Sequence, residues 1–567
     1  MRTLTKIYPT WPNLAAMMFD RAHAWPEQAM LRVFRDGEWR GITWGAFGRM
    51  AASCARGLRA AGISAGDRVL LCAENRPEYP IAETALMAIR AVPVPAYTTN
   101  TEADQAHLLR DSGARVAIVS NADLAARIRA AAEPLGGLER LIVMDSPPAG
   151  TVAWDSLVAD PRPFGDIAAE AALIPPTALA CLIYTSGTGG APRGVMLPHR
   201  CILSNCAGAF DLVRPLKLEN ETYLSYLPLS HSYEHTVGQF FLLSIGTEIV
   251  YCRGVEHLAA DMLTVRPTLL TAVPRVLEVI RARVLTQVGR EKPWRRALFD
   301  RALAIGLKRI DKTPLTLWER LLDLVLDRLV RSKVRARFGG RLIAAMSGGA
   351  RLEPEVGRFF LALGIPIMQG YGQTEAGPVI SANPPDAIRI DTVGTVLQGV
   401  DLKIAEDGEI LVRGGLVMDG YWNRPEDTAA AIRDGWLHTG DIGELDRGYL
   451  RITDRKKDMI VLSGGENVSP AKIEGMLMAE AGIAQAVVAG DGRSGLCALL
   501  VPAEGYDDVA VAIAVNRTNM RLSVTERIRR HAIVPAFTVE NGLLTPSQKI
   551  RRILVLRANA ETLARLH

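Results

Sequence analysis

An apolar, strand-like run that empties into glycines and hydroxyls constrains this chain most: Ala180-Cys-Leu-Ile-Tyr184, then Thr185-Ser-Gly-Thr-Gly-Gly190, closed by Arg193-Gly-Val195. That composition suits a triphosphate grip. Gly187, Gly189, Gly190 and Gly194 let backbone N–H groups turn toward an anion. Thr185, Ser186 and Thr188 add hydroxyl donors, and Arg193 adds a planar cationic fork. The spacing matches neither Gly-x4-Gly-Lys-Ser/Thr nor Gly-x-Gly-x-x-Gly, so a Walker loop and a dinucleotide fingerprint are both excluded here. On these residues alone, an ordinary surface turn stays open as the alternative.

Around this loop, from about Thr43 to Ala350, helical periodicities alternate with short apolar runs such as Arg68–Cys72, Arg115–Val119 and Leu269–Val273. Such alternation predicts layered α/β architecture. After Gly394 the texture changes to short strands at Leu402–Ala405, Glu409–Arg413 and Tyr449–Thr453, a small β-rich subdomain. Beyond Arg455, strands are expected at Ala484–Ala489 and Cys497–Val501, and helices at Pro470–Ala481 and Thr525–His531. The expected division is an N-terminal domain over 1–454 and an α+β C-terminal domain over 455–567. At 567 residues and 49% hydrophobic content, three to four domain-sized units are anticipated.

The net charge of +5 is small for this length and does not point to nucleic acid. Seven scattered cysteines fit reduced thiols packed as small core residues. No signal-peptide core and no spanning apolar run is present, so a cytoplasmic location is expected. One segment stands apart: Arg281–Gly340 holds 16 Lys/Arg against 6 Asp/Glu, net +10, which leaves −5 for the remainder. With Leu317, Trp318, Leu321, Leu324 and Val325 interleaved, it suits a helix resting on the inner face of an anionic bilayer. A solvated helix pair packed on the core is the plainer expectation.

Two further constellations carry chemistry. In Gln369-Gly-Tyr-Gly-Gln-Thr-Glu375, preceded by a strand expected at Gly364–Met368, Gly370 and Gly372 permit close approach and Tyr371 can stack on a base. Thr374 can reach a phosphate, and Glu375 can hold Mg²⁺. Met346-Ser-Gly-Gly-Ala350, with Gly349 and Ala350, suits the opposite wall of a base pocket. In Thr439-Gly-Asp441, the carboxylate of Asp441 can accept from both hydroxyls of a ribose, with Arg455 on the other side. A helix or turn cap is the commoner role for such an Asp.

Together these motifs, in this order, resemble the adenylate-forming acyl-CoA synthetase superfamily, and within it the long-chain fatty acyl-CoA synthetases. Thr185–Gly194 is similar to the phosphate loop, Tyr371–Glu375 to the adenine and magnesium motif, Thr439–Asp441 to the ribose motif and Asp454–Asp458 to the hinge. The resemblance implies roles for further residues. Lys549 would be the adenylating lysine, Lys457 the hinge position, His231 a residue beside the acyl and thiol path, and Gly464 and Gly465 a turn for thiol approach. It also implies a mobile C-terminal domain. ATP, Mg²⁺, a fatty acid and coenzyme A would be the cofactors and substrates, with an acyl-carrier protein, or medium-chain or aryl acids, as the rival readings. A Walker-type hydrolase and a catalytically silent scaffold rank lower, because Glu375, Asp441, Arg455 and Lys549 are all present. Two residues depart from the family pattern: Gly189 replaces Thr or Ser, and Arg193 replaces Lys, which exchanges a compact charge for a bidentate one.

Overall fold

Four short, largely buried apolar runs and a half-buried fifth at the edge build a wholly parallel sheet in the order Val92–Pro95, Arg68–Cys72, Val116–Val119, Arg140–Val143, Val152–Ala153. The computed structural model describes residues 8–160, 162–185, 191–464, 466–545 and 549–566. Helices between these strands begin on side-chain caps: Thr101 and Asp104 form a capping box ahead of Glu102–Ser112, and Asn121 accepts from Leu124 N–H at the start of Ala122–Ala132. Leu70, Val94, Ala117, Val119 and Leu141 fill the core, joined by Leu182 and Tyr184 of the strand that feeds the glycine loop.

Contacts divide the chain into two compact units, fewer than length alone suggests. The first holds residues up to 185, 193–401 and 412–437; the second holds 186–192, 402–411 and 438–567. Within the first, a second parallel array runs Ala29–Arg35, Glu248–Tyr251, Thr222–Ser225, Leu269–Ala272, Ala344–Ser347, Ile367–Gly372, and then turns antiparallel at Val379–Ala382. The strand expected at Gly364–Met368 starts later, at Ile367, and continues through Gly372. Gly364 sits at φ 78°, leaving the helix Pro354–Ala362, so Tyr371 lies on a strand end and not in a loop. A third sheet pairs Leu179–Thr185, Arg193–Pro198 and Gly420–Tyr421 antiparallel.

The second unit is built on a three-stranded sheet, Ile483–Ala489, Leu496–Pro502 and Ile528–Ile533. Ile473, Leu477, Val511 and Val515 cover one face, and Val534, Phe537, Leu544 and Val555 belong to a second cluster with Val487 and Leu499. The helix expected at Thr525–His531 is a single 3-10 turn, Val524–Glu526, followed by a strand. Parallel pairing with Leu496–Leu500 overrides the expected helix, and Asn519 holds the strand's start by bonding both N–H and C=O of Ile528 at 2.9 Å. All seven cysteines are free thiols, six of them buried. No described helix is long and apolar enough to cross a membrane.

Candidate active site

In the first unit, Thr185 pairs directly opposite Arg193, so the two strands that flank the glycine-rich residues run antiparallel. Ser186, Gly187, Thr188, Gly189 and Gly190 lie outside the described residues. Within Arg193–Pro198, Gly194 lies against the Tyr184 ring, where a Cβ would come within 3.0 Å of Cζ. The Arg193 guanidinium stacks 4.1 Å from the Tyr421 ring centroid and stands 3.8 Å from Asp427. Tyr421 reaches this position by pairing with Val195, and its hydroxyl donates to Glu375 Oε1 at 2.8 Å. Burial, then the Glu375 carboxylate, pushes the phenol well above its ordinary pKa, so it is a donor at any working pH. A cation, a ring and a carboxylate thus form one connected unit. Tyr421 was not identifiable from sequence, because Gly420-Tyr421 becomes meaningful only through its pairing with Val195.

Glu375 is buried in the 3-10 turn Thr374–Ala376, and its backbone carbonyl accepts from Met418 N–H. Thr374 Oγ1 lies 2.8 Å from Ser232 Oγ. Tyr233 then bonds the carbonyl of Met346 at 2.9 Å, with Gly348 packed so closely beneath its ring that a Cβ would come within 3.0 Å. His231, half-buried, accepts from Tyr233 N–H through Nδ1, which assigns the remaining proton to Nε2. Residues 231–233, 346–350 and 371–375 therefore converge at the carboxyl ends of two adjacent parallel strands, in register at Ser347 and Gln369. Open α/β sheets bind ligands at that edge. Gly349, at φ 78°, and Ala350 are exposed there. Gly370 packs against Ser381 O, and Gly372 has no room for a side chain, since a Cβ would meet Pro378 O at 1.9 Å. Two buried acceptors in this register, Ser347 Oγ and Gln369 Oε1, have no partner among the described residues, as suits a polar ligand.

No cluster of three or more His, Cys, Asp or Glu side chains forms a metal cage among the described residues. A lone buried carboxylate such as Glu375 fits an ion that arrives already held by triphosphate oxygens, which is how Mg²⁺ is commonly bound.

The second unit carries the other predicted residues. Asp441 is buried inside the strand Trp436–Asp446, not at a helix cap, and pairs across the ladder with Arg455 of Tyr449–Arg455. Its Oδ1 lies 3.3 Å from Arg455 Nε. Beneath it, Glu409 accepts from Gly440 N–H at 3.0 Å and lies 3.1 Å from His438 Nδ1 and 3.0 Å from Lys456 Nζ. Burial alone raises the Glu409 pKa, but these partners hold the carboxylate below its ordinary value. Asp454 is pushed up by burial, while Arg455 at the strand's end and Lys456 and Lys457 in the following turn are exposed. Gly464 is packed against the Glu466 carboxylate; Gly465 lies outside the described residues. Lys549 is exposed; its N–H donates to Thr545 Oγ1 and its carbonyl accepts from Thr545 N–H.

Residues 18–422 match the AMP-binding enzyme family, and residues 457–566 match the AMP-binding enzyme C-terminal domain. The chain is 33% identical to the long-chain-fatty-acid–CoA ligase FadD15 of Mycobacterium bovis, over 96% of this chain and 95% of that one. It is 29% identical to the peroxisomal long chain acyl-CoA synthetase 7 of Arabidopsis thaliana, over 100% and 89% respectively. The anthranilate CoA ligase AuaEII, solved with anthranoyl-AMP, shares the fold at a TM-score of 0.77 and 20% identity, over 98% of this chain and 99% of that one.

Proposed function

The chain belongs to the AMP-binding enzyme family, and from that premise we propose that it is a long-chain fatty acid–CoA ligase. It joins a carboxylic acid to coenzyme A in two ATP-dependent steps: an acyl-adenylate forms with release of pyrophosphate, and the thiol then displaces AMP. A carboxylate is a poor electrophile, which is why the adenylate is needed. Its attack on the α-phosphate brings two anions together, and at about 4 Å and an effective dielectric near 20 they repel by about 4 kcal/mol. Countering that repulsion is the enzyme's main electrostatic task.

The observation that carries this reading is the link from Arg193 through Tyr421 to Glu375, which ties the cation of the proposed phosphate grip to a buried carboxylate at the strand ends. In the proposed roles, Arg193 and the loop amides receive pyrophosphate, and Tyr371 with Gly349 and Ala350 flanks the base. Mg²⁺ near Glu375, when bound, neutralises phosphate oxygens. Asp441 and Arg455 hold the ribose, Lys549 bridges carboxylate and α-phosphate, and His231 lies beside the acyl path. Rotation of the residues after Lys457 would withdraw Lys549 and bring Gly464 and Gly465 to the thiol. The contact from Ser469 Oγ to Thr453 O, 3.2 Å across that pivot, would open in the process.

Long-chain preference is supported by end-to-end likeness to relatives bearing that name. Pyrophosphate release measured across acids of graded length, and across aryl acids, with and without coenzyme A, tests it. The expected optimum lies at long alkyl chains, with thioester formed only when coenzyme A is present. A best rate on benzoate-like acids would replace the substrate reading and leave the two-step chemistry standing.

A further inference from the structure

Helices normally turn their apolar stripe inward, and Leu317–Leu326 turns its wider one outward. Its core-facing side is narrow: Leu322 and Leu326 pack with Ala302 and Ile305. On the other side Leu317, Trp318, Leu321, Leu324, Val325 and Leu329 are all exposed, with Leu317 at 77%, Trp318 at 81% and Leu324 at 71%. At about 100° per residue, the five of them within the helix fall on one arc, opposite Glu319 and Leu326. The expectation of a solvated helix pair is therefore half met: the pair packs on the core, but its free face is not polar.

The charges are sorted in the same sense. Glu319 is tied to Lys308, Asp323 to Arg309 and Arg331, and Asp327 to Arg335, so the acids of this stretch are engaged by basic partners. Arg320 and Arg328, along with Lys312, Lys333 and Arg337, are exposed. A second copy of this chain is a poor occupant, because two segments of net +10 would face each other. An outward stripe of Leu and Trp, edged by arginines, has the chemistry of a helix lying in the headgroup layer.

We propose that the outward face of Leu317–Leu326 docks on a bilayer containing anionic lipid, its apolar side chains entering the interface and Arg320 and Arg328 meeting headgroup phosphates. This surface stands independently of the substrate reading. Flotation of the full-length protein with phosphatidylcholine vesicles, and with vesicles containing about a third phosphatidylglycerol, tests it. Binding is expected to the anionic vesicles only, and to weaken steeply as salt rises toward about 0.5 M. R320Q/R328Q is expected to lose about thirtyfold in partitioning, and L321E/L324E more, with pyrophosphate exchange in solution unchanged in both. Equal binding to neutral vesicles, wild-type binding by both variants, or no binding to either vesicle would overturn the proposal. So would a concentration-dependent dimer that L321E/L324E abolishes without lipid. If L321E/L324E loses exchange through misfolding, R320Q/R328Q decides the matter alone.

Discussion

The residues assigned to the two compact units are held in opposite ways. In the first, Glu375, Tyr421, Thr374, Ser232 and Tyr233 form a connected, largely buried set, fixed by strand pairing and by glycines with no room for a side chain. In the second, Lys549, Arg455 and Lys457 project into solvent from turns and strand ends, and only Asp441 is buried. On the proposed roles, the contrast separates groups set in place before a substrate arrives from groups that come and go. A buried network cannot be rearranged cheaply, whereas an exposed lysine can be withdrawn without leaving an unpaired charge in the core.

The contrast breaks most visibly at Lys549. Lys549→Ala should lower acyl-adenylate formation by about 10³-fold, the loss typical of a group that stabilises developing charge. Thioester formation from supplied acyl-adenylate should change by no more than a few fold, because in the proposed cycle the lysine is withdrawn for that step. Equal losses in both half-reactions would show that Lys549 is part of the fixed machinery instead.

The interior of the first unit offers a second large effect, on stability. Glu234 is fully buried, accepts from Tyr223, Ser225 and Thr271, and has its pKa pushed from 4.5 up to about 7 by burial. The folded protein thus holds this proton more tightly than the unfolded chain does. The contribution is complete below pH 4.5 and is lost as pH rises through about 7, amounting to about 3 kcal/mol. Glu234→Gln should flatten that part of the profile. Thermal midpoints of both proteins between pH 5 and 8.5 check it, and parallel curves would remove Glu234 from the account.

Legibility in the sequence followed the same divide between local and long-range causes. The short Val/Ile/Leu strands, the helix expected at Pro470–Ala481 and found over Pro470–Met478, and the order of motifs were readable because each rests on neighbouring residues. The parallel pairing that turned Thr525–His531 from helix to strand was not, since it depends on Leu496–Leu500 some thirty residues away. Tyr421 was missed for the same reason: its role comes from pairing with Val195, more than two hundred positions earlier. Asp441 was expected to be a ribose acceptor from its motif, and its setting inside a strand opposite Arg455 was visible only in the register. The basic segment was seen as a charge excess, yet the outward turn of its apolar residues needed coordinates.

On the second unit's side of the divide, Asp441→Ala should weaken ATP binding by roughly thirtyfold, about 2 kcal/mol, the net worth of one hydrogen bond to a charged acceptor. Isothermal titration with a non-hydrolysable ATP analogue measures it, and unchanged affinity would take Asp441 out of the site.

The smallest effect asks whether the first unit's network acts as one device. Tyr421→Phe keeps the ring on which Arg193 stacks and removes only the hydroxyl that donates to Glu375. A hydrogen bond to a charged group is worth roughly 1.5–3 kcal/mol, and water replaces part of it, so a loss of about tenfold in kcat/KM for pyrophosphate exchange is expected, with a higher Mg²⁺ requirement. If the phenol works by orienting the carboxylate, then in a Glu375→Gln background the same substitution should cost almost nothing more. Losses that multiply independently would mean that the hydroxyl does not act through Glu375. The cation and the carboxylate would then be two separate supports, and the buried side of the site would be no more unified than the exposed one.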